Sequence, residues 1–89
     1  MRAIVTVIGK DRVGIIASVT NLLSSYGVNV LDISQTVLQE YFTMIMLVDA
    51  SACSVPFAEL ANTLKGEGEN MGMQIRAQRE EVFNAMHRI

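Results

Sequence analysis

VIGKDRVGII, residues 7–16, is the stretch that decides the fold of this chain. An apolar strand runs into Gly9, the chain turns, and a helix begins shortly afterwards. Asp11 is a favourable N-cap residue, because its carboxylate can accept bonds from N–H groups one turn on. A strand that enters a helix through a short turn leaves several backbone N–H groups unpaired, and these suit a small anion such as a carboxylate. The stretch therefore predicts a strand–turn–helix unit that can hold a small ligand.

Length and composition indicate one globular domain over residues 1–89, since 51% of the residues are hydrophobic and 18% are charged. The formal charge of -2 argues against a nucleic-acid partner, which would favour a basic surface. Residues 1–8 are too short an apolar run for a signal sequence or a membrane span. Cys53 is the single cysteine, which fits a reducing compartment, so we expect a cytoplasmic protein without a membrane partner.

Apolar spacing along the chain predicts the order strand, helix, strand, strand, helix, strand, with a short terminal helix. Gly27 is the expected end of the first helix, and Gly66 and Gly68 predict fraying or a stop of the second near Lys65. The expected strands are 3–8, 29–37, 41–48 and 73–78, the helices start near residues 11 and 54, and the terminal helix covers 80–89.

Face patterns separate inner strands from edge strands. The first and third strands are apolar on both faces, which is typical of covered, central strands. In the second, Leu31, Ile33 and Val37 share one face and Val30, Asp32 and Ser34 the other, which is typical of an edge. Gln39-Glu40 is the expected hairpin turn, although it lacks glycine or asparagine. The first helix carries two apolar stripes, one through Ile16 and Ala17 and one through Ile15 and Val19.

The element order predicts an α+β fold, the ferredoxin-like βαββαβ arrangement, with a four-stranded antiparallel sheet and two helices on one face. The other sheet face then needs a cover, which the terminal segment around Phe83 or a second subunit can supply. Because exposed Ile, Val and Met side chains drive association, a homodimer is the favoured assembly.

Several stretches of the chain resemble the ACT domain family. Residues 9–17 resemble the start of an ACT domain, and residues 29–35 resemble its second strand. The stretches 34–37 and 41–44, with the tail 82–86, are similar to small stand-alone ACT proteins related to the regulator of the glycine cleavage system. The resemblance covers essentially the whole chain.

That resemblance implies a non-enzymatic regulatory module that binds an amino acid between two subunits. Its ligand site is made by the first strand–helix turn of one subunit and the second strand of its neighbour. The implied turn residues are Asp11, Arg12, Val13, Gly14 and Ile15, and the implied strand residues are Asn29, Asp32 and Gln35.

Elementary chemistry gives these residues roles. Gly14 lets a carboxylate approach the helix-start N–H groups, and Asp32 or the Asn29 amide oxygen can hold an ammonium group. Structural roles compete with these: Asp11 as a cap, Gly14 for close packing, and Asn29 and Asp32 as ordinary edge residues.

Of four other functions, three stay open, and one is excluded because the residues it needs are missing. An RNA-binding sheet would need exposed aromatic residues and a basic surround, and an acylphosphatase-like enzyme would need an anion-clamping loop with a catalytic Asn. A protein-interaction module without a working pocket is the third. Gly9 to Gly14 has the spacing of a phosphate loop, but no Lys-Ser or Lys-Thr follows, so a nucleotide site fails. The sequence predicts no catalytic residue, metal or cofactor.

Overall fold

The computed structural model describes residues 1–10 and 14–86, and these form the predicted βαββαβ fold with a short helix after it. The elements are β1 (Arg2–Lys10), α1 (Ile15–Ser25), β2 (Asn29–Leu38), β3 (Tyr41–Asp49), α2 (Phe57–Asn70), β4 (Met73–Arg79) and α3 (Glu80–Met86). The fold class is confirmed. Positions 87–89 of the predicted terminal helix lie outside the described residues.

The four strands form one antiparallel sheet in the order β2-β3-β1-β4. Both strands that are apolar on two faces, β1 and β3, are therefore the inner ones, as predicted. The hairpin turn lies at Gln39-Glu40, where Gln39 has a φ of 54°. Two-residue hairpin turns need positive φ, and here glutamine adopts it in place of the more usual glycine or asparagine.

The core lies between the sheet and helices α1 and α2. Every second residue of β1 and β3 points into it, because side chains alternate along a strand. Leu60 and Leu64 of α2 and Leu23 of α1 close the core from the helix side, and all three are fully buried. The buried strand residues are Ala3, Val5, Val7, Phe42, Met44, Met46 and Val48.

Helix α1 begins later than Asp11 suggested. Its N-cap residue is Gly14, in a left-handed conformation and without a side-chain cap bond, and the first helical residue is Ile15. Asp11 itself lies outside the described residues. Of the two predicted stripes, the one through Ile15 and Val19 is buried against the sheet, whereas Ile16 and Ala17 are exposed.

A bulge in β2 corrects the predicted faces of that strand. Val30 pairs with Val48 and Asp32 pairs with Leu47, so Leu31 is the additional residue. One extra residue shifts every later side chain to the other face. Val30 consequently lies with Ile33 on the helix side of the sheet, and the predicted grouping of Val30 with Asp32 is wrong.

Helix α2 continues through both glycines to Asn70, so the expected stop near Lys65 is also wrong. The second half of the helix packs tightly against β4. A Cβ atom on Gly68 would lie 2.8 Å from Ile75 Cγ1 and 3.0 Å from the Met73 carbonyl oxygen. Close contact between helix and strand is the physical reason for a glycine here, and it outweighs the cost of glycine inside a helix.

The sheet face opposite α1 and α2 is covered only in part. Helix α3 turns onto it at the end of β4, held by an Arg2–Glu80 ion pair of 3.0 Å and by Gln78 Nε2, which donates to Met86 Sδ at 3.2 Å. Ile4 nearby is half-buried, but Ile8 and Ile45 farther along are exposed. Of the two covers expected for this face, the terminal segment supplies one for the half of the sheet near Ile4, and a second subunit stays the predicted cover for the other half.

Candidate functional site

The start of α1 is accessible in this structure. Gly14 is exposed and has a φ of 84°, and none of the described residues that are not its chain neighbours would lie within 4 Å of a Cβ atom there. The carbonyl of Gly14 accepts the first helical bond from Ser18 N at 2.9 Å. By helix geometry the N–H groups just after Gly14 have no partner inside the helix, and no acidic side chain lies in the first turn. This helix end can accept a carboxylate.

Ile15 fixes the position of that helix end. Its side chain is buried in the core, so only its backbone N–H is available to a ligand. The other three predicted turn residues, Asp11, Arg12 and Val13, lie outside the described residues. Of the predicted turn set, Gly14 and Ile15 can therefore be located.

The three predicted strand residues do not share one side of the sheet. Cross-strand partners lie on the same face. Asn29 pairs with Asp49 and Asp32 pairs with Leu47, both on the face opposite α1, whereas Gln35 pairs with the buried Met44 on the helix side. Gln35 is thus the predicted strand residue whose side chain lies on the same side as Gly14.

A single chain does not bring the two halves of the predicted site together. Asn29 lies at the end of the sheet where β1 starts, because its partner Asp49 pairs with Arg2. Gly14 follows Lys10, at the opposite end of β1. A nine-residue strand spans about 27–30 Å. A site that contains Gly14 and Asn29 needs two copies of the chain.

Asp49 is a polar neighbour of Asn29 that the sequence analysis did not identify. Its carboxylate accepts from the Ser51 hydroxyl at 2.6 Å and from Ser51 N at 2.9 Å, and these bonds hold the pKa of Asp49 below its ordinary value. Asp32 Oδ1 accepts from Ile33 N at 2.9 Å. Only the hairpin register, which composition does not reveal, brings Asp49 beside Asn29.

Neither of the two best-defined clefts among the described residues is lined by a predicted site residue. The larger, about 550 Å³, runs along the edge of β4 and is bordered by Lys65, Glu69 and Arg76. The smaller, about 350 Å³, lies between α1 and α2. Both are shallow openings at the surface of one copy, and the helix start at Gly14 lies in neither.

Chemical groups for the competing functions are sparse among residues 1–10 and 14–86. No three His, Cys, Asp or Glu side chains of this part lie close enough to hold a metal ion. Phe42, which an RNA-binding sheet would expose, is buried, and Tyr41 is exposed only at the strand end. None of the helices in these ranges has the length and apolar character to cross a membrane.

Comparison with known proteins agrees with the βαββαβ fold described above. A family model described as ACT domain matches residues 2–78. A UPF0237 protein of Clostridium acetobutylicum is 52% identical over 89 residues, which is 100% of each chain. An ACT domain protein from Streptococcus pneumoniae has a TM-score of 0.82 and 41% identity, with 98% of each chain covered. A protein provisionally named as a glycine cleavage system transcriptional repressor shares the fold, with a TM-score of 0.74 and 23% identity over 86% of this chain and 44% of its own.

Proposed function

The chain belongs to the ACT domain family, in the group of small UPF0237 proteins, and we propose that it is a regulatory homodimer that binds an amino acid between its subunits. ACT domains are typically regulatory ligand-binding modules. The observation that carries the proposal is the accessible helix start at Gly14, where backbone N–H groups are available and the residue has no side chain. We place this activity in the cytoplasm and assign the chain no reaction of its own.

Strand β2 is the surface through which we propose that two copies pair. In the described sheet β2 has a neighbouring strand on one side only, and every residue from 31 to 38 is exposed. Its apolar side chains include Ile33 and Val37 on the helix side, and Ile16 and Ala17 of α1 are exposed as well. A free edge with exposed apolar side chains favours pairing with another strand.

Antiparallel pairing of β2 with β2 would complete the site. A two-fold axis perpendicular to the sheet reverses the strand, so the Asn29 end of one copy meets the Leu38 end of the other. Leu38 lies beside Tyr41, which pairs with Lys10, at the end of the sheet where α1 begins. This symmetry brings the β2 start of one copy next to Gly14 of the other. It also keeps both helix layers on the same side.

The ligand contacts follow from this arrangement. The carboxylate accepts from the N–H groups of Ile15 and Ile16, and the proposed turn set also includes Asp11, Arg12 and Val13. Asn29 of the neighbouring copy, at the end of β2 that this pairing brings to Gly14, offers its amide oxygen to the amino group, and Asp32 adds negative charge that favours the ammonium group. Gln35 lies toward the other end of the neighbour's β2, so this pairing does not bring it to the ligand.

An amino acid bound at this site would regulate the protein by changing how its two copies pair. A ligand that contacts both copies stabilises the paired state by its differential affinity for it, and the signal is that shift of population. The neighbouring copies therefore have to change their pairing, or its geometry, when the amino acid binds.

Paired glycine substitutions test the ligand site. Gly14→Ala places a methyl group in the approach path of the carboxylate, so we expect amino-acid affinity to fall about tenfold or more, equivalent to about 1.4 kcal/mol. Gly72→Ala is the matched control, because Gly72 also has positive φ, at 73°, and a Cβ atom there would likewise meet none of the described residues within 4 Å apart from its chain neighbours. Both variants carry a similar backbone strain of about 1–2 kcal/mol.

Isothermal titration calorimetry of the folded variants measures the difference. Gly72→Ala is expected to bind as the wild type does. Equal affinity in Gly14→Ala, with a thermal unfolding transition that shows the variant is folded, would place the ligand elsewhere.

A further inference from the structure

We propose that the β4 edge, the side of β4 that faces away from β1, binds an extended peptide segment of another protein that carries an acidic side chain. In the described sheet β4 has a neighbouring strand on one side only. Its pairing with β1 runs without a bulge over residues 73–79. Successive residues of an antiparallel edge strand direct their N–H and C=O groups alternately toward the neighbour and toward the open side. About half of these residues therefore offer backbone groups to a partner strand.

A groove between α2 and the β4 edge gives the added strand a place to lie. It is the larger of the two clefts, and its volume of about 550 Å³ lies within the range of about 300–1,000 Å³ that is typical of ligand sites. Ala61 of α2 and Ala77 of β4 line it with small, half-buried side chains, which leave room on the helix side. Strand addition of a peptide gains affinity from main-chain hydrogen bonds and specificity from pockets for alternate side chains.

Charge selects an acidic segment. Arg76 is the central residue of β4 and lies on the face opposite α2, where it lines the cleft together with Thr6 and Gln74. It is exposed and forms no ion pair with any described residue. The acidic residue that lines the cleft, Glu69, lies on α2 one turn after Lys65. The open face of the cleft is therefore positive, although the chain has a net charge of -2, and it favours an acidic side chain.

The same charge argues against a second copy of this chain on the β4 edge. Around a two-fold axis through the centre of β4, Arg76 of one copy would lie opposite Arg76 of the other. Like charges directly opposite each other destabilise a strand pair. A β4–β2 contact between copies would compete with the β2–β2 pairing proposed above. Because β4 and β2 are the two opposite edges of the sheet, a peptide on β4 leaves that pairing intact.

Designed peptides test the β4 edge. The probe is the capped heptapeptide Thr-Val-Glu-Val-Glu-Val-Thr, whose side chains alternate so that the valines face α2 and the glutamates lie on the face of Arg76. We expect fluorescence anisotropy to show saturable binding below about 1 mM, and Arg76→Glu to weaken it about fivefold or more. The peptide Thr-Val-Lys-Val-Lys-Val-Thr is expected to bind the wild type more weakly and Arg76→Glu more tightly. Lys10→Glu changes the net charge equally outside the cleft and is expected to bind as the wild type does.

Hydrogen exchange locates the bound peptide. Saturating probe is expected to slow exchange at alternate amides of residues 73–79 and to leave the amides of β2 unchanged. A peptide with proline at its central position, Thr-Val-Glu-Pro-Glu-Val-Thr, is expected not to bind, because proline interrupts a strand.

The β4 site is overturned if the wild type does not bind the probe, if the proline or lysine peptide binds it equally well, or if exchange slows in β2 instead of β4. Undiminished binding by folded Arg76→Glu likewise contradicts an acidic partner. Loss of amino-acid binding in Gly14→Ala concerns the proposed function and not this site, because Gly14 does not line the cleft.

Discussion

The correct amino acid is expected to raise the melting temperature of this protein by about 10–20 °C. At about 100 times its Kd, a ligand that binds only the folded state adds about 2.7 kcal/mol to the free energy of unfolding. In a domain of this size, each kcal/mol shifts the melting temperature by about 4–8 °C. Because the proposed ligand also contacts two copies, the shift is expected to grow with protein concentration.

A thermal-shift screen of the twenty amino acids measures this effect. The Gly72→Ala variant, which carries comparable backbone strain away from the site, is expected to show the wild-type shift. Gly14→Ala is expected to show about half of that shift or less, because a tenfold loss of affinity leaves about 1.4 kcal/mol at the same ligand concentration. If none of the twenty changes the melting temperature of the wild type, the amino-acid site is contradicted and a protein-interaction module becomes the better interpretation.

Two glycines in α2 are expected to respond in opposite directions to the same substitution. Gly66→Ala should stabilise the protein by about 1 kcal/mol, because alanine is the better helix former and nothing lies within 4 Å of the new Cβ atom. Gly68→Ala should destabilise it by about 1–2 kcal/mol. There the Cβ atom would lie 2.8 Å from Ile75 Cγ1 and 3.1 Å from Ile75 N. The overpacking cost exceeds the gain in helix propensity.

Thermal or urea unfolding of both variants measures the difference. The two substitutions lie two residues apart on one helix, so each serves as the control for the other. We expect their melting temperatures to differ by about 10 °C or more, with Gly66→Ala the higher. Stabilisation by both substitutions would show that α2 and β4 are farther apart than the structure has them.

Periodicity predicted most of the fold because it reports burial directly. Alternation in β4 and the apolar inner strands led to the correct order and sheet. The errors arose at two places: where a bulge changed which face of β2 each side chain lies on, and where packing between α2 and β4 kept glycines inside a helix. Leu31 is an extra residue that no composition signal marks, so the faces assigned before it were reversed. Helix α2 passes through Gly66 and Gly68 because tertiary packing against β4 overrides helix propensity.

The site was harder to predict than the fold, because it depends on the relation between copies. A glycine at the start of a helix can be found in a sequence, and Gly14 is where the first helix begins. The family resemblance supplied Asn29, Asp32 and Gln35, but residue spacing could not say which side of the sheet each one faces. That depended on the bulge, which puts Asn29 on the same face as Asp32 and on the face opposite to Gln35. Asp49, brought beside Asn29 by the hairpin register, had no sequence signal.

Mixing two binding-deficient variants tests most directly whether the site is shared between copies. Gly14→Ala and Asn29→Ala each impair one half of every site in their own homodimers. In a mixed dimer, however, the intact Gly14 of one copy faces the intact Asn29 of the other. After subunit exchange of an equimolar mixture, half of the dimers are mixed and each has one complete site. Calorimetry is then expected to recover about one quarter of the wild-type sites at wild-type affinity. No recovery, from variants shown by native mass spectrometry to exchange subunits, would contradict a site shared between two copies.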